Sequence, residues 1–286
     1  MKRTVFTLVV CLASLPGCSK VLENLAKQAE AGATSEPAPT TDVTFARRPP
    51  KSGSKVTLSQ KMALKFTFEG KVFRETTDDQ ALVSVQASDE FRVTKATIDV
   101  KQLITTKQEG IGDEKRSVNP IAGSRFVVSR GDNGKLTAQD AGGAKIAAAQ
   151  LAQLQEHYDT LFETDKTKEF LPARPVKVGE KLIPSSDAML KLLGQKDDGS
   201  TVIDGVEFIL QPSTAQRAPF AVTLTITQKI DPRTRLRSKL AGTIDVRPTD
   251  GEISAITLKG PLSILDAGGN EKGSGDLAID ATATFQ

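Results

Sequence analysis

Residues 61–69 read Lys-Met-Ala-Leu-Lys-Phe-Thr-Phe-Glu, and Met62, Leu64, Phe66 and Phe68 fall strictly alternate with Lys61, Ala63, Lys65, Thr67 and Glu69. Successive side chains of a strand point to opposite faces, so this period of two predicts a strand with one buried and one wet face. A helix would scatter the same apolar residues around its circumference. The pattern returns twice. Val222, Leu224 and Ile226 alternate with Thr223, Thr225 and Thr227, and Leu277, Ile279, Ala281, Ala283 and Phe285 alternate with more polar partners.

Working outward, less regular strands are expected over 81–87, 91–104, 125–129, 135–139, 206–211, 236–246 and 253–265. Asp132-Asn133-Gly134 and Asp250-Gly251 between them are hairpin signals, because Asn, Asp and Gly accept the positive φ of tight hairpins. Gly268-Gly269-Asn270 closes a last one. In 91–104 the apolar phase moves from Phe91 and Val93 to Ile98 and Val100, which a bulge near Lys95 explains. Two segments break the pattern. Ile146, Ala147, Leu151, Leu154, Tyr158, Leu161 and Phe162 recur at helical spacing over 144–163, predicting one long helix. A short one is expected after Pro184, capped by Ser185 or Ser186, stopping at Gly194 and offering Met189, Leu190, Leu192 and Leu193 for burial. The fold class is therefore mostly β: a curved antiparallel sheet, whether half-barrel, barrel or sandwich, with one long and one short helix packed on it.

The chain opens Met1-Lys2-Arg3, continues uncharged and largely apolar from Thr4 to Leu15, and reaches Leu15-Pro16-Gly17-Cys18. A basic start, a short apolar core and a small residue before the cut are signal-peptide anatomy. Twelve residues as a helix reach about 18 Å, short of the roughly 30 Å of a hydrocarbon core. The cysteine directly after Leu-Pro-Gly resembles the lipobox of bacterial lipoproteins. That resemblance implies cleavage before Cys18, a diacylglyceryl thioether on Cys18 and an amide-linked acyl chain, two or three chains that together anchor stably. Ser19 in place of Asp implies the outer membrane, if the cell has one. Cys11 lies in the leader and Cys18 takes lipid, so no thiol is left for a disulfide, metal or catalysis.

The organisation expected is residues 1–17 as signal peptide, 18–54 as lipidated N-terminus and flexible linker, and 55–286 as one β-rich envelope domain. Residues 32–54 hold Pro37, Pro39, Pro49 and Pro50 among many Ser and Thr, too little apolar surface to offset ordering. Such a linker reaches about 25 to 30 Å. Charge is balanced: 38 Lys and Arg stand against 35 Asp and Glu, and two of the cations, Lys2 and Arg3, leave with the leader. No nucleic-acid partner is implied.

Phe170-Leu171-Pro172-Ala173-Arg174-Pro175-Val176-Lys177-Val178-Gly179-Glu180-Lys181-Leu182 resembles an element of β-rich bacterial envelope proteins of unknown function. There a helix precedes Leu-Pro, then Pro-Val, then Gly with an acidic residue and usually Trp; here Leu182 holds the Trp place. The resemblance implies no activity. Phe126–Arg130 before Asn133-Gly134 and Ile244–Arg247 before Asp250-Gly251 share a strand–turn–strand outline that suggests, generically, two related halves.

Chemistry-bearing residues are sparse. His157 is the single histidine, flanked by Glu156, Tyr158 and Asp159 at the edge of the helical stripe, and no Gly-x-Ser-x-Gly elbow is present. It reads as a surface or core-edge residue. One His and no free Cys exclude the usual zinc clusters, and Asp197-Asp198-Gly199-Ser200 with Asp204-Gly205 lacks the spacing of a calcium loop. No metal and no cofactor is expected, and no phosphate-binding loop appears. Arg130-Gly131-Asp132 reads as turn chemistry. The sharpest feature is Arg233, Arg235, Arg237 and Lys239, spaced by two and so on one face of an extended strand, with Lys229 nearby. That row suits anions such as phosphates or glycolipid headgroups; otherwise it is a solvated strand face.

The reading is a membrane-anchored, non-enzymatic lipoprotein of the envelope that binds an apolar or amphiphilic ligand in the concavity of its sheet. The alternative is a structural or assembly module that holds another envelope protein by a sheet edge or helix face. A third reading is a hydrolase whose residues only the fold assembles.

Overall fold

In the computed structural model the described residues are 41–46, 48–90, 92–131, 134–162, 170–192 and 199–286. The leader, Cys18 and its tether, together with Phe91, Asp132, Asn133, Leu193, Gly194, Asp197 and Asp198, lie outside them. In chain order the strands are β1 (Asp42–Val43), β2 (Lys55–Phe68), β3 (Lys71–Ser88), β4 (Val93–Glu109), β5 (Lys115–Val118), β6 (Arg125–Arg130), β7 (Leu136–Asp140), β8 (Val176–Lys177), β9 (Lys181–Leu182), β10 (Thr201–Leu210), β11 (Ala218–Asp231), β12 (Thr234–Val246), β13 (Ile253–Asp266) and β14 (Glu271–Phe285). Among the described residues the helices are α1 (Ala148–Tyr158), continued by a 3₁₀ turn at Asp159–Phe162, and α2 (Ser186–Leu192).

One antiparallel sheet of 12 strands carries the domain, in the order β7-β6-β4-β3-β2-β14-β13-β12-β11-β10-β9, with β5 beside β4. Two meanders run in opposite directions and meet where β2 pairs with β14 along its whole length, from Phe68↔Gly273 to Val56↔Phe285. The sheet does not close. It is thus the open form of the three architectures the sequence allowed.

Alternation holds along β2, where Val56, Leu58, Gln60, Met62, Leu64 and Phe66 are all buried on one face. The strand turns back at Glu69-Gly70, where both residues take positive φ (49° and 74°), the two-residue turn whose twist matches the strands it joins. The register of β3 on β4 shifts beside Lys95, as the phase change predicts, and again between Gln80 and Ala81. Each shift adds local twist.

Curvature has a second source. Gly242 on β12, Gly260 on β13 and Gly275 on β14 lie on the inner face, each displaced two residues from the next by the pairings Gly242↔Leu258 and Gly260↔Leu277. A Cβ at Gly242 would stand 1.8 Å from Thr257 O, one at Gly260 1.8 Å from Lys239 O, and one at Gly275 2.0 Å from Lys65 O. This diagonal of missing side chains is a fold line, along which neighbouring backbones approach as no other residue permits.

The inner face supports two apolar clusters. The larger joins β10–β14 and the second half of β2 to Phe170, Leu171, Val176, Leu182, Met189 and Leu190, and the smaller joins β3, β4, β6, β7 and the start of β2 to Leu154, Tyr158 and Phe162. The element at 170–182 is therefore a cover for the larger core. Arg174 and Glu180 clamp it at 3.1 and 2.5 Å, and Glu180 also accepts from Lys177 N at 3.0 Å.

Several boundaries differ from the sequence reading. Ordered packing begins before residue 55: β1 pairs with β8, and Val43 and Phe45 are buried in the larger core. The long helix is shorter than 144–163, because Lys145 is drawn into a bridge with Gln139 and the last turn tightens to 3₁₀. Ser185, not Ser186, caps α2, its Oγ accepting from Ala188 N at 3.1 Å, while Ser186 Oγ donates to Ile203 O at 2.6 Å. The two similar hairpins occupy unlike places, β6–β7 at a sheet edge and β12–β13 inside the sheet, which gives a duplicated half-domain no support.

Candidate functional site

Strand β12 places the cation row. Its even residues Leu236, Ser238, Leu240, Ile244 and Val246 are buried, and that inward phase forces Arg235, Arg237 and Lys239 outward, where all three are exposed. Arg233 falls just outside the strand, in the turn, with its backbone N–H donating to Asp231 Oδ1 at 2.7 Å. Hydrogen bonds from the Arg233 backbone and Thr234 hold that Asp231 carboxyl below its ordinary range.

Register shows what faces the row. On β11, Lys229 is opposite Arg235, Thr227 opposite Arg237 and Thr225 opposite Lys239. On β13, Leu265 is opposite Arg235, Ser263 opposite Arg237, and Lys259 stands one step on, opposite Ala241. No acid stands directly opposite these cations, though Ser263 Oγ, opposite Arg237, donates to Glu271 Oε2 at 2.7 Å and Lys259 is diagonal to Asp276 and Asp280. Lys229 against Arg235 is a like-charge pair that costs stability. The same face elsewhere carries acids among its cations: Lys65 lies between Asp276 and Arg74, and Lys61 between Asp280 and Asp78. Among the described residues, Lys229, Arg235, Arg237, Lys239 and Lys259 make no salt bridge. Lys259 escaped the sequence reading, since only the pairing of β12 with β13 brings it to the row.

A second polar group lies on the inner face, between the two apolar clusters. Gln60, Glu75, Thr77 and Asp79 are buried there, with Gln60 and Asp79 cross-strand neighbours. Tyr158 Oη, at the end of α1, donates to Asp79 Oδ1 at 3.1 Å. Burial, only partly offset by that hydrogen bond, pushes Asp79 up to about 7. Burial also pushes up Glu75, against the Lys107 ammonium 3.0 Å from its Oε1. His157 is 4% exposed and burial lowers it to about 4, so its imidazole is neutral at pH 7. Among the described residues nothing hydrogen-bonds its Nδ1. The geometry agrees with a core-edge residue.

A half-open cleft of about 470 Å³ lies between β6, β7 and the start of α1, with Arg125, Asp140 and Lys145 among its lining. Asp140 Oδ1 is engaged by Gly142 N and Ala144 N at 2.9 and 2.8 Å, so it shapes the turn. Walls carrying these charges do not suit an acyl chain. Arg130 of the Arg-Gly-Asp tripeptide pairs with Asp159, a contact within the fold. Among the described residues no His, Cys, Asp and Glu cluster could hold a metal, and no helix is long and apolar enough to cross a membrane.

No family model matches the chain, and no curated protein matches it. Among solved structures it is similar to one described as lipid–protein interactions in lipovitellin, at 9% identity and a TM-score of 0.37, over 82% of this chain and 26% of that one. It is also similar to DynF from the dynemicin biosynthesis pathway of Micromonospora chersina, at 10% identity and a TM-score of 0.22, over 87% of this chain and 92% of that one. The chain thus spans about a quarter of the lipovitellin chain.

Proposed function

We propose that the chain is a lipid-anchored, non-enzymatic protein of the bacterial envelope that binds amphiphiles by their anionic headgroups on the outer face of β12. The cation row carries this reading: where β2 sets Lys61 between Asp280 and Asp78 and Lys65 opposite Asp276, β12 leaves Arg235, Arg237 and Lys239 with no acid directly opposite, the Glu271 carboxylate beside them being held by Ser263. Guanidinium and ammonium groups with hydroxyls beside them are the donors that phosphate oxygens require. The inner face, where an enclosed ligand was expected, is lined by side chains that bury one another. That packing turns the reading to the outer face. The anchor rests on Leu15-Pro16-Gly17-Cys18.

Native mass spectrometry of the protein released from mixed detergent micelles tests the headgroup claim. Phosphatidylglycerol adducts should outnumber phosphatidylcholine adducts and disappear in the triple variant R235Q/R237Q/K239Q. Equal retention of the two lipids would refute it. Cys18→Ala should move the protein out of the membrane fraction; full retention would overturn the anchor.

A second reading, an assembly module, is favoured by the β4–β5 arm. Ile111 at its tip and Val118 on its outer strand are exposed. Crosslinking from Ile111 in cells should then capture one envelope protein.

A further inference from the structure

The face around β12 has no walls. Thr225, Thr227 and Ser263, beside the cations by register, are small, and the Glu271 carboxylate held by Ser263 at 2.7 Å is polar, so the described residues beside the row offer an acyl chain no apolar enclosure. The charges are instead spread out. Arg235, Arg237 and Lys239 stand at steps of about 6.8 Å along the strand, and Lys229 and Lys259 lie one strand away on either side, about 4.8 Å across. Five cations over three strands exceed what one phosphate can meet, and they match an array of phosphates.

Resting on the headgroup reading above, we infer that the occupant is an assembled anionic leaflet, and that the domain docks with the outer face of β11, β12 and β13 against the membrane holding its tether. Each Lys or Arg near an anionic surface is drawn to it independently, within about a Debye length. The face of β14, β2 and β3 mixes Asp276, Asp280 and Asp78 with its cations and is drawn less strongly, so the orientation is set from one side of the sheet. The tether adds a roughly millimolar effective concentration over the surface to an attraction that five cations already supply to the untethered domain. Docking fixes which way the rest of the domain faces.

The test uses the mature chain without its leader, residues 18–286 with Cys18→Ser, and one dye, on Ser263→Cys of β13 or Thr106→Cys of β4, added to vesicles carrying a headgroup quencher. With phosphatidylglycerol present, quenching should be strong at residue 263, weak at 106, lost near 0.5 M salt and absent on pure phosphatidylcholine. Each cation removed should weaken vesicle binding roughly fivefold, and the triple variant on the order of a hundredfold. Equal quenching at the two positions, or no dependence on the anionic lipid, overturns the inference. Lipid adducts in micelles without quenching on vesicles would leave headgroup binding standing and the leaflet as the wrong occupant. Loss of both would remove both.

Discussion

Tyr158 Oη donates to Asp79 Oδ1 at 3.1 Å, tying the end of α1 to the middle of β3 between the two apolar cores. Because burial raises Asp79 to about 7, the folded state keeps its proton across a range in which an unfolded aspartate, near 3.8, has lost it. This site is therefore at full stability below about pH 4 and loses stability as pH rises to 7. Asp79→Asn keeps an acceptor for Tyr158 and removes the titration. Relative to the parent, it should gain roughly 4 kcal/mol between pH 4 and pH 8, read as the change in the difference between their urea unfolding free energies.

Removing the donor acts in the opposite sense. In Tyr158→Phe the ring stays packed while Asp79 Oδ1 loses its partner, which costs roughly 1–3 kcal/mol. The cost should be larger at pH 8, where the carboxylate is charged and its hydrogen bond stronger, than at pH 5. Denaturant unfolding at the two pH values checks this, and a cost independent of pH would show that Asp79 does not titrate between them.

His157 contributes the acid limb. Its imidazole is lowered from 6.5 to about 4, so the folded state binds fewer protons than the unfolded chain over that range, and stability falls as pH drops from 6.5 to 4. His157→Leu should abolish roughly 3 kcal/mol of this loss while leaving stability at pH 7.5 little changed or improved, since no described group bonds the buried Nδ1. The measurement is the thermal midpoint of the two proteins at pH 4.5 and 7.5.

The cation row and the strands at Met62–Phe68, Val222–Ile226 and Leu277–Phe285 were legible because each is a statement about period within one segment. Lys259, the Tyr158–Asp79 tie and the missing acids opposite Arg237 depend on register between segments far apart in the chain, which period does not encode. The first half of β3 was overlooked for a related reason. Its inward residues Glu75, Thr77 and Asp79 are polar, so the sequence shows no apolar alternation where the structure has an unbroken strand. Val43 and Phe45 were hidden in a Pro- and Ser-rich stretch, where two apolar residues are too few to signal packing.

The same limit applies to the glycines of the fold line, which in sequence look like ordinary strand interruptions. At Gly260 the backbone needs no positive φ, so conformational freedom is not the issue; space is. A methyl group there would sit 1.8 Å from Lys239 O and 2.9 Å from its carbonyl carbon, both rigid backbone of β12. Gly260→Ala must therefore push β12 and β13 apart, at the strand that carries the cation row. We expect a loss of about 3 kcal/mol or more, at the upper end of what overpacking costs, against under 1 kcal/mol for Gly268→Ala in the β13–β14 turn, where the nearest atoms belong to the side chains of Asn270 and Asp266. Parallel urea titrations decide it: equal costs at the two positions would mean the sheet can flatten, and the diagonal of glycines would no longer explain its curvature.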